Sequence, residues 1–444
     1  MKNKDENCGS SGSFAFAVTN WRALTVATLA AVIVLGGGLL STASADEVIR
    51  WNQVATDSAT ANKVDPLTES RIFAILHLAI HDAVNGVQPR YQPYLPTGPK
   101  GPSAPVDASV DAAVAGAAHE ALVALLPAGK ESFDIAFEES LGRVPESPRK
   151  EAGMEIGRAA AAAVLAAREN DGANRTIEYT PGAEPGQYCP TPPDFTPAFM
   201  SHWGKITPFV LQSSAQFRCL DPPPVDSEKA FAEIEEVRAI GGSKSATRTA
   251  EQSEIARFWY ESSPRGWNRI AREVATPRQF DAWENARLFA MVNLAMADGF
   301  IAGFEDKYYC NYWRPVTAIR HLGDREWLSY LLTPPVPDYP STHTVLGAAA
   351  ATAMARFFGT DFISFSTTSG EPYPDITRKF WSFSEAAREN GASRILAGIH
   401  FSSAVRAGYA QGEQVANWVF ENALRPVKPQ PVITTSQVSA TFVR

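Results

Sequence analysis

The sequence predicts an all-α protein: two helical bundles related by internal duplication, with a proline-rich connecting segment between them. Three observations carry this. Alanine-rich stretches with a helical apolar period recur along the 444 residues. One helical stretch occurs twice. The region between the two copies holds too many prolines for helix or central strand. The length allows two or three domains, or one large helical body, each with a core. A net charge of -8 argues against a nucleic-acid surface or a polybasic membrane patch. Any anion site must be built locally.

The N-terminal stretch reads as an export signal. Arg22 precedes an apolar run from Ala23 to Leu40, and Ala43-Ser44-Ala45 offers a small-residue cleavage site. Residues 1–45 are expected to be a signal peptide cleaved after Ala45. The remainder is expected to be secreted or periplasmic, with no further segment able to span a bilayer. Removing three Lys/Arg and two Asp/Glu takes the charge from -8 to -9. Cys8 leaves with the signal. Cys189 and Cys219 bracket the proline-rich segment, and a bridge between them would close a loop of about 30 residues, contributing roughly 3–4 kcal/mol. Two unrelated thiols are the alternative, and the spacing fits no zinc signature.

Residues 46–172 are expected to form the N-terminal bundle. Within it, 108–126 and 151–172 read as alanine-rich helices, the second stopping at Asn170-Asp171-Gly172. Residues 173–245 read as an ordered connection, because Tyr188, Phe195, Phe199, Trp203 and Phe209 supply apolar surface that a flexible linker lacks. A helix start follows at Thr249, with Gln252 completing a capping box and Ile255, Phe258 and Trp259 forming a stripe. It opens a C-terminal bundle over 246–425, followed by a proline-rich tail over 426–444.

The duplicated stretch is RIFAILHLAIHDA (71–83) against RLFAMVNLAMADG (287–299), aligned without gaps. Arg71/Arg287, Phe73/Phe289, Ala74/Ala290, Leu78/Leu294, Ala79/Ala295 and Asp82/Asp298 are identical. Amphipathicity alone accounts for the apolar matches but not for the paired Arg and Asp. His77 and His81 sit at i, i+4 on the first copy. They suit satisfied core histidines better than a metal pair.

Chemistry-bearing residues follow the second copy. Lys307 and Arg314 lie seven apart, which on one helix is two turns and one face. Ser341-Thr342-His343 stands where PDYPSTHT runs into an alanine-rich helix, and helix openings present free N–H groups and partial positive charge. Arg394 and His400 lie six apart. Taken singly each is weak. Together they put three cations, a helix-opening serine and two histidines in the last third of an acidic chain.

This set resembles the vanadium-dependent haloperoxidase and phosphatidic acid phosphatase type 2 superfamily, whose signature is K-x6-R-P, then P-S-G-H, then S-R-x5-H. Here the parts are Lys307 to Arg314-Pro315, Pro340-Ser341-Thr342-His343, and Ser393-Arg394 to His400. The phrases NYWRPVTAIR, YPSTHT and GIHF look like the soluble bacterial haloperoxidase-like branch. The resemblance implies a vanadate or phosphate oxyanion held by Lys307, Arg314 and Arg394, with Ser341 and the Thr342 N–H donating from the helix end. It makes His343 the general acid–base and His400 the covalent partner, ligating vanadium or accepting a phosphoryl group. Thr342 replaces glycine, which is tolerable because only the backbone N–H is needed there. Many members carry an aspartate four residues past the last histidine to orient it. Here that residue is Ala404, so a backbone carbonyl or another acid must serve. Some chloroperoxidases have an aromatic five positions before the serine, where this chain has Val336. Halide preference stays open.

The leading reading is a secreted haloperoxidase using vanadate, hydrogen peroxide and a halide. The second is an acid phosphatase acting on phosphomonoesters through a phosphohistidine, with no cofactor. It is disfavoured by the lack of a carboxylate near His400 in the sequence. The third is an idle helical binding protein, for which buried cations have no physical use. None of the three calls for nucleic acid or, after signal cleavage, a membrane.

Overall fold

The computed structural model describes residues 46–95 and 107–427. The expected signal peptide and nearly all of the tail lie outside these residues. Thirteen α-helices, three single-turn 3-10 helices and one hairpin make up the regular structure among the described residues. The N-terminal half has α1 (Glu47–Ala61), α2 (Pro66–Val87), α3 (Val110–Leu125), α4 (Lys130–Gly142) and α5 (Pro148–Arg168). A long irregular stretch leads to α6 (Glu228–Ile240). The C-terminal half has α7 (Ala250–Phe258), α8 (Ser263–Ala275), α9 (Ala282–Cys310), α10 (Pro315–His321), α11 (Thr342–Phe358), α12 (Phe383–Leu396) and α13 (Ser402–Asn422). Strands β1 (Phe365–Thr368) and β2 (Thr377–Phe380) pair antiparallel, with Phe365 opposite Phe380. This hairpin is the one departure from an all-α fold, and helical patterning gave no hint of it.

Helix starts follow the expected chemistry. Asp65 accepts from Leu67 N and Thr68 N ahead of α2, and the Thr249–Gln252 capping box forms at α7. The two copies of the duplicated stretch, α2 and α9, pack side by side in one continuous core, where His77 stacks on Phe289 at 5.3 Å. α9 is long and apolar enough to cross a membrane, which the sequence reading did not anticipate. Its most apolar window is 94% buried, as befits a core helix.

Each half repeats one arrangement. α3 lies against α5 and α2, as α11 lies against α13 and α9. A Cβ at Gly153 or Gly157 of α5 would fall 2.3 and 2.2 Å from Ser109 O and Ala113 O on α3. A Cβ at Gly408 or Gly412 of α13 would fall 2.5 and 2.2 Å from Ser341 O and Val345 O on α11. Only glycine permits these close crossings. Ser109 N donates to Arg149 O and Ser341 N donates to Ala404 O, both at 2.9 Å. The paired acids also share one task. Asp298 accepts from Phe209 N, Val210 N and Leu211 N (2.6–2.9 Å), and Asp82 accepts from Tyr94 N at 2.8 Å.

The repeat extends further than the sequence reading found. Trp51-Asn52 on α1 matches Trp267-Asn268 on α8 at the same spacing of 216. Asn52 Nδ2 lies 2.7 Å from Asn268 Oδ1 and 2.8 Å from His77 Nε2, while Asn268 pairs with Asn293, the counterpart of His77. All four are fully buried. His77 is thus a core histidine, driven down to about 3 by burial, and His81 lies 3.0 Å from Asp82.

The connection is ordered, with Tyr188, Trp203, Phe209 and Leu211 buried. Phe195, expected to pack, is 59% exposed. The expected Cys189–Cys219 bridge is not formed, and Cys189, Cys219 and Cys310 are all free thiols. The two ends of the segment dock separately. Tyr188 N bonds Asn311 O, whereas Cys219 N bonds Asp306 Oδ2 and its Sγ faces Ala407 O on α13. Apolar burial, not a crosslink, holds the segment.

Candidate active site

The site lies at the C-terminal end of α9 and the N-terminal end of α11. Lys307 and Arg314 do not share a helix face as the spacing suggested. α9 stops at Cys310, Asn311 takes a left-handed turn (φ 49°), and Arg314 becomes the N-cap of α10. The turn, not helical periodicity, aims both cations inward, and both are fully buried.

A cavity of about 250 Å³ is lined by Arg314, Thr342, His343, Arg394 and His400. Its remaining wall is largely apolar, with Phe199 from the connection, Phe300 and Phe304 from α9, and Pro334 to Val336. Pro66 and Leu67, in the first turn of α2, also reach it, so the N-terminal bundle closes one side. Lys307 and Ser341 stand behind the lining. Lys307 Nζ donates to Pro337 O, Asp338 O and Pro340 O at 2.7, 3.0 and 2.7 Å. All three of its donors are thereby used. Lys307 braces the loop before α11 and reaches the cavity through its field, not as the direct donor the motif implies. Burial and the Arg314 charge push its pKa well below that of an ordinary lysine.

Arg314 Nε donates to Val336 O (2.7 Å) and Nη1 to Ile399 O (2.6 Å), with no protein partner for Nη2. Arg394 donates to Trp259 O at 3.3 Å, and its buried Nε is unpartnered. Burial draws Arg394 down to about 10. Ser341 is the N-cap of α11 but does not cap it. Its Oγ accepts from Thr344 Oγ1 at 2.9 Å, leaving the hydroxyl proton free. Thr342 fits in place of glycine because its methyl lies over Gly303 of α9, where a Cβ would come within 2.6 Å.

His343 Nδ1 is 2.9 Å from Ser263 Oγ, and its buried Nε2 has no partner. Burial first, then Arg394, keeps His343 neutral, its pKa held well below the usual histidine value. Ser263, at the start of α8, was missed in the sequence, where nothing marks it out. His400 Nε2 lies 3.1 Å from Arg314 Nη1. Its pKa too is forced well below the usual value, by burial and then by the surrounding cations. The second residue missed is Asp338, fully buried, with Oδ1 2.9 Å from His400 Nδ1 and 3.8 Å from Arg314 Nη1. Neither of its oxygens has an aligned hydrogen bond, and burial raises its pKa to about 7.

Buried guanidinium donors, a helix N-terminus and an unpartnered His343 nitrogen at a small cavity, with a free serine hydroxyl just behind its lining, suit a tetrahedral oxyanion. Fold and site together define an all-α, twin-bundle protein with a cationic cavity in its second bundle. Residues 287–429 match the family model of the VCPO second helical-bundle domain. The vanadium chloroperoxidase of Curvularia inaequalis is 28% identical over a match covering 45% of this chain and 45% of that enzyme, so the chain matches less than half of its length. A solved bacterial vanadium-dependent iodoperoxidase superposes with a TM-score of 0.78 at 28% identity, covering 86% of this chain and 98% of that one. A holo-type bacterial vanadium-dependent chloroperoxidase shares the fold, with a TM-score of 0.67 at 20% identity over 80% and 91% of the two chains. The chain thus resembles the vanadium haloperoxidase superfamily, in sequence over its second bundle and in fold over most of its length.

Proposed function

We propose that the protein is a vanadate-dependent haloperoxidase that oxidises a halide with hydrogen peroxide. The supporting observation is the set of buried cations and two neutral histidines around a cavity of about 250 Å³. That volume is below the range typical of drug-sized ligands. It suits an oxyanion with peroxide and halide.

Arg314 and Arg394 would hold the vanadate oxygens, with the Ser341 hydroxyl and the Thr342 N–H donating from the start of α11. His400, kept neutral, offers a ring nitrogen as the covalent ligand. Bound vanadate supplies Lewis-acid activation of peroxide without a change in oxidation state. His343 lines the cavity, its Nε2 has no protein partner, and it acts as the acid–base group. Ser263 Oγ beside Nδ1 either donates or accepts, so it serves both tautomers of that ring. Export by an N-terminal signal completes this reading.

The phosphatase reading gains one point. It lacked an acid beside His400, and Asp338 now supplies one. The relatives favour the haloperoxidase. The deciding experiment titrates orthovanadate into apo-protein. Bromide, iodide or chloride oxidation should rise with vanadate. Flat activity, with aryl phosphate hydrolysis that vanadate inhibits, would replace this reading with the phosphatase.

A further inference from the structure

We propose that Asp338 is the residue that positions His400, supplying from the loop before α11 the acid that is missing at position 404. Ala404 cannot do this. Its side chain is a fully buried methyl packed in an apolar cluster, and its carbonyl accepts Ser341 N at 2.9 Å. That carbonyl bond recurs between Arg149 and Ser109 in the other bundle, so it belongs to the scaffold. The carbonyl just before His400, Ile399 O, is engaged by Arg314 Nη1 at 2.6 Å.

Asp338 is held in place at its backbone. Its N–H donates to Tyr312 O at 2.9 Å, and its carbonyl is one of the three that grip Lys307. Its side chain lies 2.9 Å from His400 Nδ1. A buried carboxylate is costly unless something needs it. Its ion pair with Arg314 is a long one, Nη1 standing 3.8 Å away, so the His400 ring is its closer partner.

The two nitrogens of His400 have different nearest partners. Nδ1 lies 2.9 Å from a carboxylate oxygen, which accepts, with Arg314 Nη1 farther off at 3.5 Å. Nε2 lies 3.1 Å from that guanidinium nitrogen, which only donates. The nearer neighbour of each nitrogen selects the same tautomer, with the proton on Nδ1 and the lone pair on Nε2. That is the form able to ligate a metal or attack phosphorus. One loop, residues 337–343, thus carries the brace for Lys307, the orienting acid, the anion donors and the acid–base histidine.

The consequence for anion binding rests on the function proposed above, but the tautomer does not, so the test reads both. Protein labelled with 15N at its seven histidines is examined by NMR without vanadate, with the His400 signals assigned by their loss in His400→Gln. Wild type should show His400 protonated at Nδ1. Asp338→Ala should shift it toward the Nε2 proton form and weaken orthovanadate binding, measured by equilibrium dialysis, about 10- to 100-fold. Adding Ala404→Asp to Asp338→Ala should restore part of both. A folded Asp338→Ala protein with unchanged His400 signals and unchanged vanadate affinity overturns the inference. So does wild-type protein with the proton on Nε2, a measurement that needs no variant to fold. Altered His400 signals in a protein without vanadate-dependent halide oxidation remove the function and leave the positioning role.

Discussion

Ser109 and Ser341 hold the same place in two copies of one scaffold, and they do different things there. Each opens a helix, each N–H bonds the carbonyl of a glycine-bearing neighbour helix, and each carbonyl lies under the first of two close-packed glycines. Ser109 Oγ accepts Ala112 N at 3.3 Å and so caps α3. Ser341 Oγ leaves α11 uncapped and its hydroxyl free. Two residues on, the N-terminal bundle has Asp111 and the C-terminal bundle has His343. Asp111 sits near Glu47, whose charge, after burial, raises its pKa. One helix start thus carries an acid, which disfavours an anion, and the other a histidine beside buried cations, which suits one. Duplication reproduced the packing, and the chemistry came from a few helix-end and loop residues.

The largest expected effect breaks the C-terminal site directly. His343→Ala should cut turnover ~10²–10⁴-fold where proton transfer limits the rate, with vanadate still bound, whereas His400→Ala should lose vanadate itself. Steady-state rates beside equilibrium dialysis separate the two. Next in size is Lys307→Ala. It strips three buried carbonyls of their donor, at ~1–3 kcal/mol for each group left unsatisfied. Thermal unfolding should show a larger loss than Arg394→Ala, whose side chain makes one long bond; equal losses would contradict the bracing role.

The serines give the sharpest contrast. Ser109→Ala should cost ~1 kcal/mol of stability as a lost cap, while Ser341→Ala removes no cap and should weaken vanadate binding, which Ser109→Ala leaves untouched. A pH effect is smaller. Burial raises Glu69 on α2 from 4.5 to about 7, so the folded protein keeps a proton that the unfolded chain has released. Stability from this group is therefore full below about pH 4.5 and lost as pH rises through about 7. The corresponding residue on α9 is Asn285, and Glu69→Gln should flatten that part of the stability–pH curve. Smallest of all, a thiol reductant should leave the melting temperature unmoved, because no disulfide is present among the described residues.

Much of this was legible in the sequence because local rules govern it. Capping boxes, alanine-rich helices and the α2/α9 repeat depend on neighbours a few residues apart. The residues gathered at the cavity were legible because the spacing within each of the three motif parts is short and fixed. Asp338 and Ser263 were not, since each acts on a histidine brought close only by the fold, 62 and 80 positions away in the chain. The same limit hid the role of Lys307, which is defined by three carbonyls 30 to 33 positions on. The hairpin escaped because its four-residue strands pair only with each other. The disulfide reading failed because closeness along a proline-rich stretch is not closeness in space.

Asn52 and Asn268 meet across the seam between the halves, each touching the copy of itself. Self-contact of this kind is what a two-fold axis produces in an isologous dimer, where residue i of one subunit meets residue i of the next. The chain thus holds within one polypeptide the geometry of a dimer interface, and tethering has freed the halves from being identical. A symmetric pair would have to place the same residue at both helix starts. The single chain can keep an acid at one and a histidine at the other, and let the first half serve as a wall for the second.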